Sequence, residues 1–286
     1  MTPEATPLNR APFAQLKSLG PNAVGRDIVA CFETLGARTD RLEHAHALAM
    51  RSIGVAPAEP LRLAGQQVAR AIDHGAGAGV AAGYHNAQHF LEVMLCTRYL
   101  ALLAGLDAIR TLRVVSAGLL HDFHHDGSRG VAAPFRLEML AVEQAQPYLR
   151  QANVAGTESS RLEALILATE PRAGVPFARA CFAWHRSGGP APPNSAGLPA
   201  PLQRLLAEAE LAHDAVLLAE ADVLPSIGLT IAHAEQLQAR LAFEWGTTLG
   251  RTDKLQFIER LVGEIVVAAF FIPNVLALRQ AYLDAK

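Results

Sequence analysis

The chain has 286 residues, 51% of them hydrophobic, and its mean hydropathy of +0.18 predicts a sizeable buried core. The formal charge of −2 provides no basic field, so neither a nucleic acid nor an anionic membrane is an expected partner. Aromatic residues make up only 6% while alanine and leucine dominate, which favours helices over strands.

Apolar spacing predicts a series of helices along the chain. Residues 1–20 are rich in proline and are expected to form a flexible tail. Residues 186–201 hold five prolines and three glycines, which predicts a loop. With no repeat and no alternating pattern, residues 21–286 are expected to form a single all-helical domain. The predicted helices lie at about 26–50, 61–72, 86–105, 107–121, 135–151, 157–170, 202–223, 226–245 and 252–282.

Other features bear on the compartment. Three widely spaced cysteines, an odd number, indicate buried free thiols in a reducing compartment. The N-terminal residues lack a basic segment followed by an apolar one, so no signal peptide is expected. The apolar run at 265–272 is too short to span a membrane and meets Pro273, so it is expected to be a buried core helix. The expected location is the cytoplasm.

The densest cluster of polar residues follows an apolar run at 114–120. Residues 121–126 contain three histidines and two aspartates. These are the usual ligands of hard or borderline divalent metals. Burying such groups at the end of an apolar helix is costly without a partner, so the stretch predicts a metal site.

Two histidine pairs share the same spacing. His85 and His89 are four residues apart, as are His121 and His125, and side chains four apart lie on one face of a helix. One such pair is common without a metal. Two pairs, the second enclosing Asp122, favour a metal site.

A further candidate ligand is Asp222, which lies in the apolar run 217–224. An aspartate in such a helix is seldom buried without a partner, so we expect it to join the metal site. The alternative is that Asp222 and Glu220 line a helix end before Pro225.

Taken together, these motifs resemble the HD superfamily of metal-dependent phosphohydrolases, and more narrowly the cyclic-nucleotide phosphodiesterase catalytic domain. That family carries Tyr-His-Asn with a second histidine four residues after the first, then His-Asp-x-x-His-x-Gly, then a late Ala-Asp. The corresponding residues here are 84–89, 121–127 and 221–222. The resemblance covers about residues 60–285 and implies an all-α HD-domain bundle.

The resemblance also implies roles for individual residues. Asp122 would bridge two divalent metals (Zn, Mn, Mg or Fe), and His125 would lie near the waters of the second. A hydroxide bridging the metals would attack the phosphorus of a nucleotide or small-metabolite phosphoester, either a diester or a monoester. His85 would act as general acid for the leaving oxygen. The implied ligands of the first metal are His89, His121, Asp122 and Asp222.

Several positions leave alternatives open. His124 stands where the family often has Asp. It would either add a nitrogen ligand to the second site, favouring iron, manganese or zinc, or lie behind the ligands. Asn86 would contact the phosphate or cap a helix. One of Glu138 and Glu143 would orient a metal-bound water, and at least one of them is expected to lie on a solvent-exposed helix face.

The family's substrate-reading segment, Gln-x-Gly-Phe-Ile, is matched only in part by residues 254–258. Phe257 occupies the position that stacks on the base and is either a substrate contact or a core residue. Lys254 replaces the glutamine that reads the purine. It carries donors only and prefers phosphate or carboxylate, unless it is simply solvent-exposed. Cyclic-nucleotide specificity is therefore less well supported than the catalytic residues.

Two other functions remain open at this point. His124 motivates a di-iron oxygenase of the HD type, and a non-catalytic ligand-binding HD module is the third possibility. The expected partner is a small phosphoester, and the sequence makes no prediction about oligomeric state.

Overall fold

The computed structural model describes residues 19–128, 133–188, 192 and 197–285. These residues contain α-helices and short 3₁₀ segments, with no strand among them, which confirms the all-α prediction. The 3₁₀ segments lie at Ala200–Leu206 and Ala269–Phe271. In chain order, the helices are α1 (Pro21–Gly36), α2 (Arg41–Ser52), α3 (Pro60–Asp73), α4 (Ala87–Leu103), α5 (Ala108–Leu120), α6 (Arg136–Gln151), α7 (Gly156–Leu167), α8 (Gly174–Ser187), α9 (Ala209–Ile227), α10 (Ile231–Glu244), α11 (Arg251–Val262) and α12 (Ile272–Asp284).

Three helices, α4, α5 and α9, form the centre of the molecule. The α4 helix is buried along almost its whole length and packs against both α5 and α9. A helix that is apolar on all sides belongs in the middle of a bundle, because no face of it favours water. His89 lies in the first turn of α4, His121 directly follows α5, and Asp222 lies within α9. The core therefore brings the three predicted motifs together.

The predicted helix at 26–50 is divided into α1 and α2 by a turn at 37–40. The amide of Ala37 donates to Glu33 O and that of Arg38 to Leu35 O, which closes α1. Glycine, here Gly36, is a poor interior helix residue and commonly lies at a helix end. The apolar spacing alone did not reveal this break.

The expectation of a buried core helix at 265–272 is wrong. Val266 is 43% exposed, and α12 begins only at Ile272, with Pro273 in its first turn. The buried carboxylate of Glu220 holds the backbone before α12 in a turn, because each hydrogen bond that the carboxylate accepts satisfies an amide outside a helix. It accepts from three consecutive amides, those of Val266, Val267 and Ala268, at 2.9, 2.9 and 2.6 Å.

The remaining predictions concern the cysteines, the N-terminal tail, the loop and the domain boundary. Cys31, Cys96 and Cys181 are free and buried, as expected. The predicted tail at 1–20 lies outside the described residues up to residue 18, as do 189–191 and 193–196 of the predicted loop. The single-domain boundary stays a prediction.

A helix that spans a membrane must be both long and predominantly apolar. Within the described chain, no single helix is long and apolar enough to cross a membrane. The α9 and α10 helices meet that test only when taken together, and they are bent by 99° at the break between them.

Candidate active site

The start of α4 fixes the first histidine pair. Asn86 is the N-cap, and its Oδ1 accepts from the amides of Gln88 and His89 at 2.8 and 3.2 Å. Its Nδ2 donates to Ala81 O and Gly83 O, at 2.8 and 2.7 Å, which ties the preceding glycine-rich loop to the helix. Of the two roles predicted for Asn86, its contacts are those of a helix cap. Its side chain lines neither of the two cavities beside the site.

Four ligand atoms converge at the ends of the central helices. Asp122 Oδ2 lies 3.1 Å from His89 Nε2 and 3.2 Å from His121 Nε2. Asp222 Oδ1 lies 3.5 Å from each of the same two nitrogens. We refer to these four side chains as the ligand cluster: His89, His121, Asp122 and Asp222.

The spacing and chemistry of the ligand cluster fit a divalent metal. Ligand atoms about 2.1 Å from a common ion lie roughly 3.0 to 3.4 Å from one another. The four histidine–carboxylate separations are close to this, at 3.1 to 3.5 Å. The ligand atoms of His89, His121 and Asp222 all lie within 4.8 Å of one another, and Asp122 adjoins this group through the two histidines. Two imidazole nitrogens and two carboxylates suit zinc, manganese or iron. The residues present therefore fit the group that the sequence predicts.

The orientation of His121 supports the same conclusion. Its Nδ1 lies 3.0 Å from Gly118 O and donates to it, which leaves the lone pair on Nε2. That Nε2 is buried and forms no hydrogen bond within the described residues. When the ring is neutral, this nitrogen is a buried acceptor without a donor, and a bound metal ion would remove that cost.

Opposite charges face each other within the ligand cluster. Burial raises the pKa of Asp122, but His121 and His89 outweigh this and hold it well below the ordinary value. Burial lowers the pKa of His121, but the carboxylates of Asp122 and Asp222 raise it well above the ordinary value. Asp122 is therefore ionised, as a metal ligand would have to be, and a metal bound here would displace a proton from His121.

His85 lies beside the ligand cluster and is held by Glu244 at the end of α10. Its Nδ1 is 2.5 Å from Glu244 Oε1, and its Nε2 is 3.8 Å from Asp122 Oδ2. Glu244 Oε2 also accepts from the amides of Tyr84 and His85, both at 2.9 Å. Burial lowers the pKa of His85, but Glu244 and Asp122 outweigh it and raise the pKa. His85 is thus a fixed, readily protonated imidazole.

The imidazole ring of His125 stacks on that of His85. The two ring centroids are 3.6 Å apart with an interplanar angle of 15°. Burial lowers the pKa of His125 to about 4, so its ring is neutral at pH 7 and accepts from the amide of Gly127 at 3.0 Å. His85, His125 and Glu244 also form a second group whose ligand atoms all lie within 4.8 Å of one another.

His124 is not brought into either group of ligand atoms. Its backbone has φ of +67°, and its amide donates to Gly77 O at 2.8 Å. Its ring lies edge-on to Phe123, with centroids 4.5 Å apart. A Cβ on Gly77 would lie 2.4 Å from the Phe123 ring, so the glycine-rich loop packs tightly on this turn. The side chain of His124 lines neither cavity beside the site.

Two cavities meet at the site and share Tyr84, His85, Asp222 and Trp245. The first has a volume of about 230 Å³ and contains His121, Asp122 and His125 in its wall. Glu138 lines this cavity, whereas Glu143 does not. Burial and the nearby carboxylates raise the pKa of Glu138 to about 7.

The second cavity has a volume of about 410 Å³ and is mainly apolar. We call it the Lys254 cavity. Of the three predicted substrate residues, Lys254 and Phe257 line it and Asn86 does not. Lys254 is only 6% exposed, so the alternative of a solvent-exposed lysine is wrong. Phe257 is half-buried and packs against a second, smaller group of buried apolar residues, as a core residue would, while its contact with a substrate stays a prediction. The other apolar residues in the wall of the Lys254 cavity are Leu237, Leu241, Trp245 and Leu249.

Sequence reasoning missed Glu244 and Trp245. Glu244 is 159 residues from the histidine it contacts, and a glutamate at a helix end is ordinary. No pattern in the sequence distinguishes it. Only the packing of α10 against α9 shows its position.

The all-helical fold is similar to that of solved phosphodiesterase domains. The structure of LmjPDEB1 in complex with IBMX aligns over 88% of this chain and 90% of that chain, with a TM-score of 0.59 and 13% identity. The phosphodiesterase domain of the RhoPDE fusion protein from the choanoflagellate Salpingoeca rosetta aligns over 90% of both chains, with a TM-score of 0.57 and 16% identity. No family model and no curated protein matches the sequence. The fold implied by the sequence motifs is confirmed.

Proposed function

We propose that this protein is an HD-type, metal-dependent phosphohydrolase that cleaves a phosphodiester or phosphomonoester of a nucleotide or small metabolite. The observation that carries the proposal is the convergence of four metal-ligand atoms beside a protonatable histidine. His85 Nε2 lies 3.8 Å from Asp122, at the edge of the ligand cluster. The likeness of fold to proteins named phosphodiesterases, one in complex with IBMX, supports a small-molecule phosphoester as substrate.

The ligand cluster would hold the first of two divalent ions, and Asp122 would be shared with the second. The chemistry supplied by such ions, when bound, is neutralisation of phosphoryl oxygens and activation of water for in-line displacement. Because the cluster forms part of the wall of the first cavity, a substrate phosphate bound there would lie next to His85.

His85 would donate a proton to the leaving oxygen. An alkoxide leaves poorly, and a general acid within reach removes this barrier. Glu244 accepts from Nδ1 of His85, which leaves the Nε2 proton facing Asp122 and the cavity. Glu244 is therefore a positioning residue: it orients the ring and favours its protonated form.

The two alternatives receive less support. The oxygenase hypothesis rested on His124, which lies outside both ligand groups. The non-catalytic hypothesis is disfavoured by a complete ligand cluster together with a positioned proton donor. We therefore propose only the hydrolase.

The test is hydrolysis of a substrate panel by purified protein whose metal content is known. The panel holds cyclic nucleotides, nucleoside monophosphates and aryl phosphodiesters. We expect turnover of at least one class, loss of turnover after chelation, and recovery when Mn²⁺ or Zn²⁺ is restored. A metal-loaded protein that hydrolyses none of them, or a metal-free protein that retains its full rate, would contradict the proposal.

A further inference from the structure

The Lys254 cavity ends at a buried cation. The chain contains 22 arginines but only three lysines, and Lys254 is the one lysine among the described residues. Its Nζ donates to Ser226 O at 2.8 Å. No carboxylate of the described residues lies within 4 Å of it. An ammonium group has three donors and no acceptor, so two donors remain for a ligand.

The other polar groups deep in this cavity are already used. Gln238 Nε2 donates to Leu249 O at 2.7 Å, and its Oε1 accepts from the hydroxyl of Tyr282 at 3.0 Å. Asp253 Oδ2 accepts from the amide of Gly250 at 2.7 Å. Gln238 therefore cannot turn freely to offer an acceptor to a ligand. The hydroxyls of Tyr84 and Ser226, which also line the cavity, bond to each other at 3.1 Å. Lys254 therefore supplies the buried charged donor of the inner wall.

The position of Lys254 relative to the ligand cluster gives the size of the group it would contact. Asp222 belongs to the cluster and lines both cavities, and Ser226 follows it by four residues on α9. Four residues rise about 6 Å along a helix, and the bond to Ser226 O adds 2.8 Å, so Lys254 Nζ lies on the order of 9 Å from the backbone of Asp222. A planar ring attached to a phosphoester spans that distance. The apolar walls, including Phe257, would cover its faces.

We propose that Lys254 determines specificity, selecting substrates whose organic group ends in a hydrogen-bond acceptor, a carbonyl or carboxylate. This inference rests on the proposed function, because it places the substrate phosphate at the ligand cluster. A 6-oxopurine presents such acceptors, and lysine pairs well with the O6 and N7 of guanine. An amino group directed at Lys254 would leave buried donors unpaired on both sides, which is strongly unfavourable.

The test measures binding of matched ligand pairs to the metal-loaded protein. Trp245 lines both cavities, and Trp184 does not, so Trp184→Phe leaves a fluorescence reporter at the site. One pair is inosine and adenosine 5′-monophosphate, which carry equal charge. The other is 4-carboxyphenyl and 4-aminophenyl phosphate. We expect the acceptor-bearing member of each pair to bind about tenfold to a hundredfold more tightly.

Variants assign that preference to Lys254. Lys254→Met keeps the length of the side chain but removes its donors, and should reduce the preference to less than about threefold. Lys254→Gln restores an acceptor and should bind the adenine ligand better than the wild type does. Arg51→Met is the matched control, because this exposed arginine lines neither cavity and its loss changes the charge equally. It should leave the preference unchanged.

Each outcome separates this inference from the proposed function. The assignment to Lys254 would be overturned by equal affinity within both pairs or by no binding of any ligand. It would also be overturned by a preference that persists in both Lys254→Met and Lys254→Gln. If the protein hydrolyses phosphoesters without such a preference, only the specificity inference fails. If it shows the preference but hydrolyses no phosphoester, the proposed function fails while the binding role of Lys254 stands.

Discussion

The ligand cluster and the Lys254 cavity are adjacent but are built differently. The ligand cluster lies on α4, α5 and α9, within the main core of the molecule. The Lys254 cavity lies between the end of α9, α10 and α11, which pack with α12 around a second, smaller hydrophobic cluster. The proposed chemistry is thus held by the main core, and the proposed selectivity by a smaller unit beside it.

Glu244 is the link between these two regions. It lies at the end of α10, yet its carboxylate holds His85 and the backbone of the segment before α4. This arrangement implies a gradient of effects. Changes in the ligand cluster should remove metal, changes at His85 and Glu244 should reduce rate, and changes at Lys254 should alter selectivity and stability.

The largest effect is expected for Asp122→Ala. Asp122 contacts both histidines of the ligand cluster, so its loss should remove the bound metal and reduce hydrolysis by more than about a thousandfold. Elemental analysis of the purified variant measures this. Asp126→Ala is the matched control, because Asp126 lies four residues away and is an exposed partner of Arg136. Full metal content in Asp122→Ala would refute the ligand assignment.

His85→Asn should separate rate from metal content. Without a proton donor, we expect hydrolysis to fall by about a hundredfold to ten thousandfold, while the metal content stays at the wild-type level. Rates and elemental analysis on the same preparation check both parts. The exposed His74 provides a control as His74→Asn, which should behave as wild type. If His85→Asn loses its metal, His85 is a ligand instead.

Glu244→Gln tests the link between the regions. Glu244 raises the pKa of His85, so the wild-type histidine keeps its proton to a higher pH. The variant should lose about tenfold to a hundredfold in kcat, and the loss of activity at alkaline pH should begin at a lower pH. A pH profile of kcat measures both effects. The exposed Glu235 on the same helix gives the control Glu235→Gln, and an unchanged profile in Glu244→Gln would remove the positioning role.

The smallest effect concerns stability. Burial lowers the pKa of Lys254 to about 8, which corresponds to roughly 3 kcal/mol against the charged form. Loss of the bond to Ser226 O offsets about half of this. Lys254→Met should therefore raise the free energy of unfolding by about 1 to 2 kcal/mol at pH 7. The folded pKa is the lower one, so this advantage should shrink as pH rises from 8 towards 10. Urea unfolding at both pH values provides the measurement, and a gain that grows with pH would contradict the account.

The two regions also differ in how far the sequence predicts them. The repeated histidine spacing and the position of Asp222 in an apolar run indicated a metal site, and the family resemblance implied that His89, His121, Asp122 and Asp222 are its ligands. Such local patterns can be recognised in the sequence without knowledge of the packing. The structure brings these four side chains together, and their role as metal ligands stays a prediction. The helices that carry them were likewise predicted from their apolar spacing and capping residues.

Long-range packing accounts for what the sequence did not show. Lys254 is buried because α11 packs beside the end of α9, where Ser226 O meets its ammonium group. The segment at 265–272 is not a core helix because Glu220, some 46 residues earlier, captures its amides. Neither partner stands at a spacing that predicts the contact. Such pairings follow from the tertiary arrangement of α9 rather than from any local sequence preference.

The most direct test of the account is an anomalous difference map from a crystal grown with Mn²⁺. The structure contains two candidate groups of ligand atoms, so the position of the ion decides between them. We predict the strongest peak between the nitrogens of His89 and His121 and the carboxylates of Asp122 and Asp222. A strongest peak among His85, His125 and Glu244, with none at the ligand cluster, would contradict both the metal assignment and the role of His85 as proton donor.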